Sequence, residues 1–284
     1  ARIDPGNCVV TLVTVPSNTV LEESGELVRD TLTADSPKNT VRAVESISGV
    51  DIRYWFLMDF SAFEALVSQI GGVQVDVPVS ITMQDPLTAK TVTVPSGKGV
   101  QLDEAGTLIY LRSTDPYLID ADPHRQLNVR TVLSQMMLQV LGMDDDGVRK
   151  ALGLFEGEVE TNIDNATLLS LVTRFYDEKE SVQVYSCTGP YLASAVNAKG
   201  EPVVEQRLSS WRELMNIVDS GEDPASVSSR YNFTGSATDY VKEKQTASSS
   251  ASTALASSTS SSASSAAKSS SSSSGGDGKK SSKD

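Results

Sequence analysis

Residues 49–78 read GVDIRYWFLMDFSAFEALVSQIGGVQVDVP, and this stretch decides how the rest of the chain is interpreted. The nearly continuous apolar run at 53–59 predicts a strand buried on both faces. The next apolar stretch, at 60–70, is predicted to be a helix, because the glycine pair at 71–72 is a typical helix end. The alternation at 73–79 then predicts a half-buried strand. A strand, a helix and a second strand in immediate succession are typical of an α/β domain.

The same pattern extends in both directions from this segment. Further strands are predicted at 9–15, 90–94, 107–112 and 181–187, and further helices at 38–49, near Asp103, and at 124–141, 162–175 and 209–218. Strands that alternate with helices of this length predict a three-layer α/β/α sandwich around a central mixed β-sheet.

Composition divides the chain into three parts. Residues 1–220 carry the predicted elements, residues 221–234 are expected to be a linker, and residues 235–284 consist almost entirely of Ser, Ala, Gly and Lys. The last part has almost no large apolar side chains. It cannot bury enough surface to offset the entropy lost on ordering, so we expect a disordered tail.

The charge balance argues against a nucleic-acid partner. The formal net charge is −13, and the six Lys and four acidic residues after Phe233 leave about −15 on the rest of the chain. Such a surface repels phosphate backbones, and no basic recognition element is present. An anionic ligand must therefore meet a local cluster of basic side chains.

Four segments, in this order, resemble the LytR–CpsA–Psr (LCP) family. They are residues 49–78, residues 102–112 (LDEAGTLIYLR), residues 122–125 (DPHR) and residues 161–171 (TNIDNATLLSL). The family shows a strand leading to an "x-D-F-x-x-F" helix and "G-G-V-x-V-x-V-P", then "L-x-G-x-x-A-L-x-Y-x-R", and then an Asp followed by Arg at the start of a long helix. Four matches in register are a specific signal.

The resemblance implies a function at the bacterial cell envelope. LCP proteins bind polyprenyl-pyrophosphate-linked glycans, and they are thought to transfer a glycan phosphate to peptidoglycan with magnesium or another divalent cation assisting. They lie on the outer face of the membrane, held by an N-terminal anchor. No apolar segment of this chain is long enough for a membrane span, and the chain begins with Ala-Arg-Ile-Asp-Pro. We therefore expect a divergent member that is incomplete at its N terminus. The family's older label, transcriptional attenuator, finds no support in this acidic sequence.

Two arginines are the candidate catalytic and ligand-binding residues. Arg112 ends a predicted strand, and Arg125 lies in the first turn of the predicted helix 124–141, where the helix dipole also favours anions. A guanidinium provides a planar fork of donors that suits a diphosphate. The alternatives are an ion pair with a loop Asp for Arg112 and an i,i+4 helix pair for Arg125.

Acidic and imidazole side chains near this helix are weaker candidates. Asp122 matches a family Asp and is the better of two candidate cation ligands, with Asp120 the other; a solvated acidic loop is the alternative. His124 is interpreted as a surface residue at a helix start. Asp59 is interpreted as the N-cap of the helix that follows it.

Three positions depart from the family pattern. Where the family has "S-I-P-R-D-T", this chain has Thr14-Val15-Pro16-Ser17-Asn18-Thr19, so Ser17 replaces an Arg and Asn18 replaces an Asp. Where the family has "R-Q-Q", Asn128-Val129-Arg130 stand. Two helical positions rotate a side chain by about 200°, so Arg130 is not expected to substitute for the Arg missing at Asn128.

Apolar side chains of the predicted helices either line a lipid pocket or pack the core. Met136 is the most suggestive ligand-binding candidate because methionine adapts to irregular chains. The same two alternatives apply to Trp55, Phe56, Phe63, Val67 and Met137, and core packing is the simpler interpretation.

The two cysteines, Cys8 and Cys187, lie in or beside apolar runs. In an exported protein they are a candidate disulfide, and otherwise they are small buried apolar residues. The sequence does not distinguish between these alternatives.

Three functions are compatible with these features. The first is a phosphotransferase that attaches an envelope glycan to peptidoglycan. The second is a non-catalytic LCP protein that binds polyprenyl-phosphate lipids or scaffolds active members, which the losses at Ser17, Asn18 and Asn128 favour. The third is a wall-associated structural protein whose tail serves as a flexible spacer.

Overall fold

The strand that begins at Val9 pairs with two others in the central sheet. In the computed structural model, which describes residues 1–33, 37–113, 121–196 and 202–228, β1 (Arg2–Asp4), β2 (Val9–Thr14) and β9 (Gln183–Thr188) lie side by side in the order β1-β2-β9. β2 is antiparallel to β1 and parallel to β9. The sheet is therefore mixed, as predicted.

The remaining strands form antiparallel pairs, and helices separate many of them along the chain. The strands are β3 (Phe56–Leu57), β4 (Val73–Val77), β5 (Ile81–Gln84), β6 (Thr91–Val94), β7 (Gly97–Leu102), β8 (Glu160–Thr161), β10 (Tyr191–Val196) and β11 (Pro202–Gln206). The helices are α1 (Pro37–Ser48), α2 (Phe60–Gln69), α3 (Glu104–Arg112), α4 (Ala121–Leu141), α5 (Asp145–Glu158), α6 (Asn165–Asp177), α7 (Leu208–Ser220) and α8 (Ala225–Ser228). β3 pairs with β8, β4 with β7, β5 with β6 and β10 with β11.

Helices cover both faces of the central sheet. Because successive side chains of a strand point to opposite faces, Val13 packs with α1 and α7, through residues such as Ile47 and Trp211. On the opposite face, Val10 packs with Leu141 of α4 and Phe175 of α6. This arrangement confirms the three-layer α/β/α sandwich.

A second hydrophobic cluster surrounds α2 and α3. Val67, Val73 and Ile109 are completely buried there, and Val132 of α4 joins them with no exposed surface. The far end of α4 contributes Leu141 to the central sheet. Helix α4 thus belongs to both cores and fixes one relative to the other.

One predicted strand is wrong, and another is much shorter than expected. Residues 107–112 are helical, because Asp103 accepts a hydrogen bond from the Gly106 N–H at 2.7 Å and starts α3. Residues 107–110 are all buried. A short apolar run that is buried on all sides has no period that distinguishes a strand from a helix.

The predicted strand at 53–59 shrinks to the two residues of β3. Phe56 is 61% exposed rather than buried on both faces. A side chain supplies backbone hydrogen bonds to this segment. The amide oxygen of Asn162 accepts from the Trp55 N–H, and its amide nitrogen donates to the Arg53 carbonyl. The apolar run therefore does not need a sheet neighbour along its whole length.

Buried packing continues past residue 220. Val227 of α8 has no exposed surface and packs in the cluster of Trp211 and Leu214. This residue lies in the stretch that the sequence suggested as a linker. The predicted tail, 235–284, lies outside the described residues.

No helix in the described ranges has the length and apolar character needed to cross a membrane.

Two glycine-to-alanine variants test the packing. A Cβ at Gly189 would lie 1.9 Å from Cη2 of the buried Trp211 ring, whereas one at Gly153, inside α5, would meet nothing within 4 Å. We expect G189A to lower the free energy of unfolding by about 1–3 kcal/mol. We expect G153A to raise it by about 0.5–1 kcal/mol, because alanine loses less backbone entropy in a helix. Urea denaturation measures both, and equal effects would contradict this packing.

Candidate functional site

The loop that leaves β2 forms one side of the candidate site. It turns at Pro16, whose carbonyl accepts from the Thr19 N–H at 3.1 Å and from the Thr19 hydroxyl at 2.7 Å. The Val204 N–H of β11 donates to the Asn18 carbonyl at 3.2 Å, and the Arg29 N–H donates to the Ser17 carbonyl at 2.8 Å. These backbone contacts hold the loop in place at the carboxyl edge of the parallel strands.

Arg125 reaches this loop from the first turns of α4. Its Nη2 donates to Ser17 Oγ at 3.2 Å, and the residue is half-buried. The structure thus brings two sequence candidates together, Arg125 and the replaced position Ser17, at the end of β2.

Asn128, one helical turn further on, faces the end of α3. Its amide donates to the Tyr110 carbonyl at 2.9 Å and to Ser113 Oγ at 3.1 Å. Ser113 is buried and donates in turn to the same carbonyl at 2.9 Å. The neutral side chain at position 128 therefore joins α3 to α4.

Arg112 ends a helix, not the strand that the sequence suggested. It is the last residue of α3, where a positive charge complements the helix dipole. Its guanidinium carbon lies 4.5 Å from the centroid of the Phe60 ring, a cation–π contact. Its Nε is buried and has no hydrogen-bond partner among the described residues.

Arg130 is the residue that sequence reasoning set aside. It is only 4% exposed, and its Nη1 donates to Thr14 Oγ1 at 2.5 Å and to Thr188 Oγ1 at 2.7 Å. Burial lowers the pKa of this guanidinium to about 10, so it remains protonated at neutral pH. An arginine between apolar helix positions, Val129 and Val132, was the signal that could have drawn attention to it.

The other predicted site residues lie in several places. Asp59 accepts from the Ala62 N–H at 2.8 Å, which confirms it as the N-cap of α2. His124 lies half-buried in the first turn of α4. Met136 packs against the α2 cluster, as do the buried Phe63 and Val67, whereas Met137 packs on the central sheet.

The described residues of this site do not fit a divalent cation. Among the described residues, Arg125 donates to the Ser17 hydroxyl and Asn128 to the Ser113 hydroxyl, and this part of the chain contains no group of three or more His, Cys, Asp or Glu that could hold a metal. Proteins usually bind magnesium through one or two carboxylates, together with waters and substrate phosphates. The side chain of Asp122 and the whole of Asp120 lie outside the described residues, so a cation at these two residues stays a prediction.

The two cysteines are free and buried, which corrects the candidate disulfide. Cys187 pairs with Val13 across the parallel strands, and Cys8 lies at the other end of β2. Cys8 is five positions before Val13, so the two cysteines lie about 16 Å apart along the strand direction. A disulfide requires Cα atoms within about 7 Å.

Comparison with known proteins gives one family and several structures of the same fold. Residues 11–217 match the model of the LytR_cpsA_psr family. The fold is similar to that of B. subtilis TagV, with a TM-score of 0.59 and 17% identity over 82% of this chain and 87% of that one. It is also similar to a LytR-Csp2A-Psr enzyme from Actinomyces oris, with a TM-score of 0.60 and 17% identity over 78% and 84% of the two chains.

A third similar structure holds a ligand. It is TagT bound to LIIa-WTA, with a TM-score of 0.56 and 19% identity over 76% of this chain and 81% of that one. No curated protein matches this sequence. At these identities the structural likeness concerns the fold alone.

Thiol chemistry tests the placement of the cysteines. Both side chains are only 4% exposed, and burial raises the pKa of the Cys187 thiol to about 12. We expect the native protein to react negligibly with a thiol reagent at pH 8, because the thiolate is the reactive form. In denaturant without reductant, two thiols per chain should react. A disulfide-bonded sample would release none.

The same pKa predicts how stability changes with pH. The folded pKa of Cys187, about 12, lies above the ordinary value of 9.0 that applies to the unfolded chain. Between these values the unfolded state holds fewer protons than the folded state, so stability falls as pH rises. Urea denaturation at pH 8 and at about pH 10.5 should show a loss that C187A reduces. An equal loss in C187A would contradict the assignment.

Proposed function

Because the chain belongs to the LytR–CpsA–Psr family, we propose that it binds a polyprenyl-pyrophosphate-linked glycan and transfers the glycan phosphate to peptidoglycan. The proposal places this reaction on the extracytoplasmic face of the bacterial membrane, within reach of the cell wall. A membrane anchor of the kind that the family resemblance implies would hold the domain there. The observation that carries the proposal is Arg125, which lies on α4 at the loop after the parallel strand β2.

A diphosphate fits this place for electrostatic reasons. The net charge of the chain is strongly negative, so a phosphate group is attracted only where arginines concentrate. Arg125 lies in the first turns of α4, where the helix dipole adds a partial positive charge. Arg112 adds a second guanidinium at the end of α3, the helix that Asn128 joins to α4.

The reaction moves one phosphoryl group. An acceptor hydroxyl of peptidoglycan attacks the phosphorus that carries the glycan, a new P–O bond forms, and the bond from that phosphorus to the bridging oxygen of the diphosphate breaks. Polyprenyl phosphate leaves, and the hydroxyl proton goes to solvent or to a base. Catalysis of such a step consists mainly of positioning and of positive charge near the phosphoryl oxygens. Arg112 and Arg125 are the residues proposed for that role.

The lipid and the cation complete the proposal. Met136 is partly buried against the α2 cluster, and its flexible thioether suits contact with an isoprenoid chain. A magnesium ion, with Asp122 as its candidate ligand together with phosphate oxygens, stays a prediction from the family resemblance. Both assignments depend on the diphosphate site itself.

A second candidate function is binding without transfer. Asn128 and Ser17 are neutral where the family pattern has arginine, and the amide of Asn128 is used in two hydrogen bonds to the end of α3. Fewer positive charges at the phosphate lower the stabilisation of the transition state more than that of the bound ground state. Such a protein would hold the lipid-linked glycan for, or scaffold, an active family member.

Calorimetric titration with inorganic pyrophosphate tests the diphosphate site. Removing a charged hydrogen-bond donor costs about 1.5–3 kcal/mol, so R125Q should weaken binding by about tenfold or more, and R112Q should act in the same direction. The matched control is R149Q, which removes the same charge from an exposed position on α5. Equal affinities for R125Q and R149Q would contradict the site.

Turnover distinguishes the two candidate functions. The full chain would be incubated with a polyprenyl-pyrophosphate-linked glycan and peptidoglycan fragments, with and without magnesium. Release of polyprenyl phosphate together with glycan on the peptidoglycan supports the transferase. Binding of the lipid with no product supports the non-catalytic binder.

A further inference from the structure

Arg130 is a buried positive charge that no carboxylate neutralises among the described residues. The side chain is 4% exposed, and its hydrogen bonds go to two neutral hydroxyls, those of Thr14 and Thr188. Its Nε is buried and has no hydrogen-bond partner in the described part of the chain. Buried charges in proteins are normally paired. This one is left with its charge uncompensated.

The position of Arg130 relates it to the candidate diphosphate site. Thr14 and Thr188 are the last residues of β2 and β9, and they pair across the parallel strands. The loop that begins at Thr14 carries Ser17, to which Arg125 donates. Arg130 therefore contacts the base of the loop, and Arg125 contacts a residue three positions further along it.

Both arginines come from one helix, which fixes their relation. Five residues of α4 separate them, a rise of about 7.5 Å. Arg130 lies against the sheet, whereas Arg125 is half-buried. A charge in a poorly solvated place acts over a longer distance than one in water, because the surrounding medium screens it less.

We propose that Arg130 is a positioning residue that places a permanent positive charge beneath the diphosphate site, in compensation for the neutral amide at Asn128. This inference rests on the proposed binding of a pyrophosphate ligand and deepens it. The ligand supplies the negative charge that the described residues around Arg130 do not. The bound anion offsets the positive charge of the Arg130 guanidinium. The hydroxyls of Thr14 and Thr188 hold that guanidinium at the strand ends.

Substitutions that separate charge from shape test the proposal. R130Q keeps an amide that can donate to the threonines but removes the charge, whereas R130K keeps the charge. We expect R130Q to weaken pyrophosphate binding about tenfold, and R130K to weaken it less than R130Q does, because lysine keeps the charge but not the fork of donors. R149Q, an exposed charge on α5, is the matched control and should bind normally.

Thermal unfolding without ligand gives a second, independent measurement. Because R130Q removes an uncompensated buried charge, its Tm should equal or exceed that of the unmodified chain. A residue kept only to tie two strands together would instead lower the Tm when replaced, whatever the ligand.

Three results would overturn the proposal. They are normal pyrophosphate binding by R130Q, a loss in R130K as large as that in R130Q, and a Tm of R130Q several degrees below that of the unmodified chain. If the unmodified chain itself does not bind pyrophosphate, the proposed function fails. The Tm of R130Q then decides whether Arg130 is an uncompensated charge or a structural tie.

Discussion

The parallel pairing of β2 with β9 is the constraint on which the rest of the structure depends. The two strands come from distant parts of the chain, yet all six residues of β2 lie in register with β9. A parallel pair cannot be joined by a hairpin, so the segment between the strands must cross over the sheet. Each face of the pair carries apolar side chains, and the helices of that crossover and of the C-terminal part pack on them.

Helix α4 connects this sheet to the second core. Val132 is packed in the cluster of α2 and α3, and Leu141 is packed on the central sheet. The polar side chains near the start of α4 each reach a different end of an element. Arg125 reaches the loop after β2, Asn128 reaches the end of α3, and Arg130 reaches the ends of β2 and β9. A rigid helix held at both cores keeps these groups in one arrangement.

This arrangement changes how the departures from the family pattern are understood. In the sequence, Ser17 and Asn128 are simply lost charges. In the folded chain Ser17 accepts a hydrogen bond from Arg125, and Asn128 joins two helices. Arg130 places a positive charge at the strand ends, where it is buried without a carboxylate among the described residues. The site lacks two of the family's positive charges, at Ser17 and Asn128, but has a buried one at Arg130. This distribution of charge is compatible with binding an anion.

By itself, the sequence determined the fold class, the family and most helices, because amphipathic periods, capping residues such as Asp59 and ordered motifs are local properties. It also identified Arg125 and the altered position Ser17. Tertiary structure alone decided that residues 107–112 are helical, since a fully buried apolar run has no period that separates a helix from a strand. It alone placed Arg130 between Thr14 and Thr188 and kept Cys8 away from Cys187. The surroundings of Arg130 and the separation of the cysteines both depend on the pairing of β2 with β9, two distant segments, and no local stretch of the chain specifies that pairing.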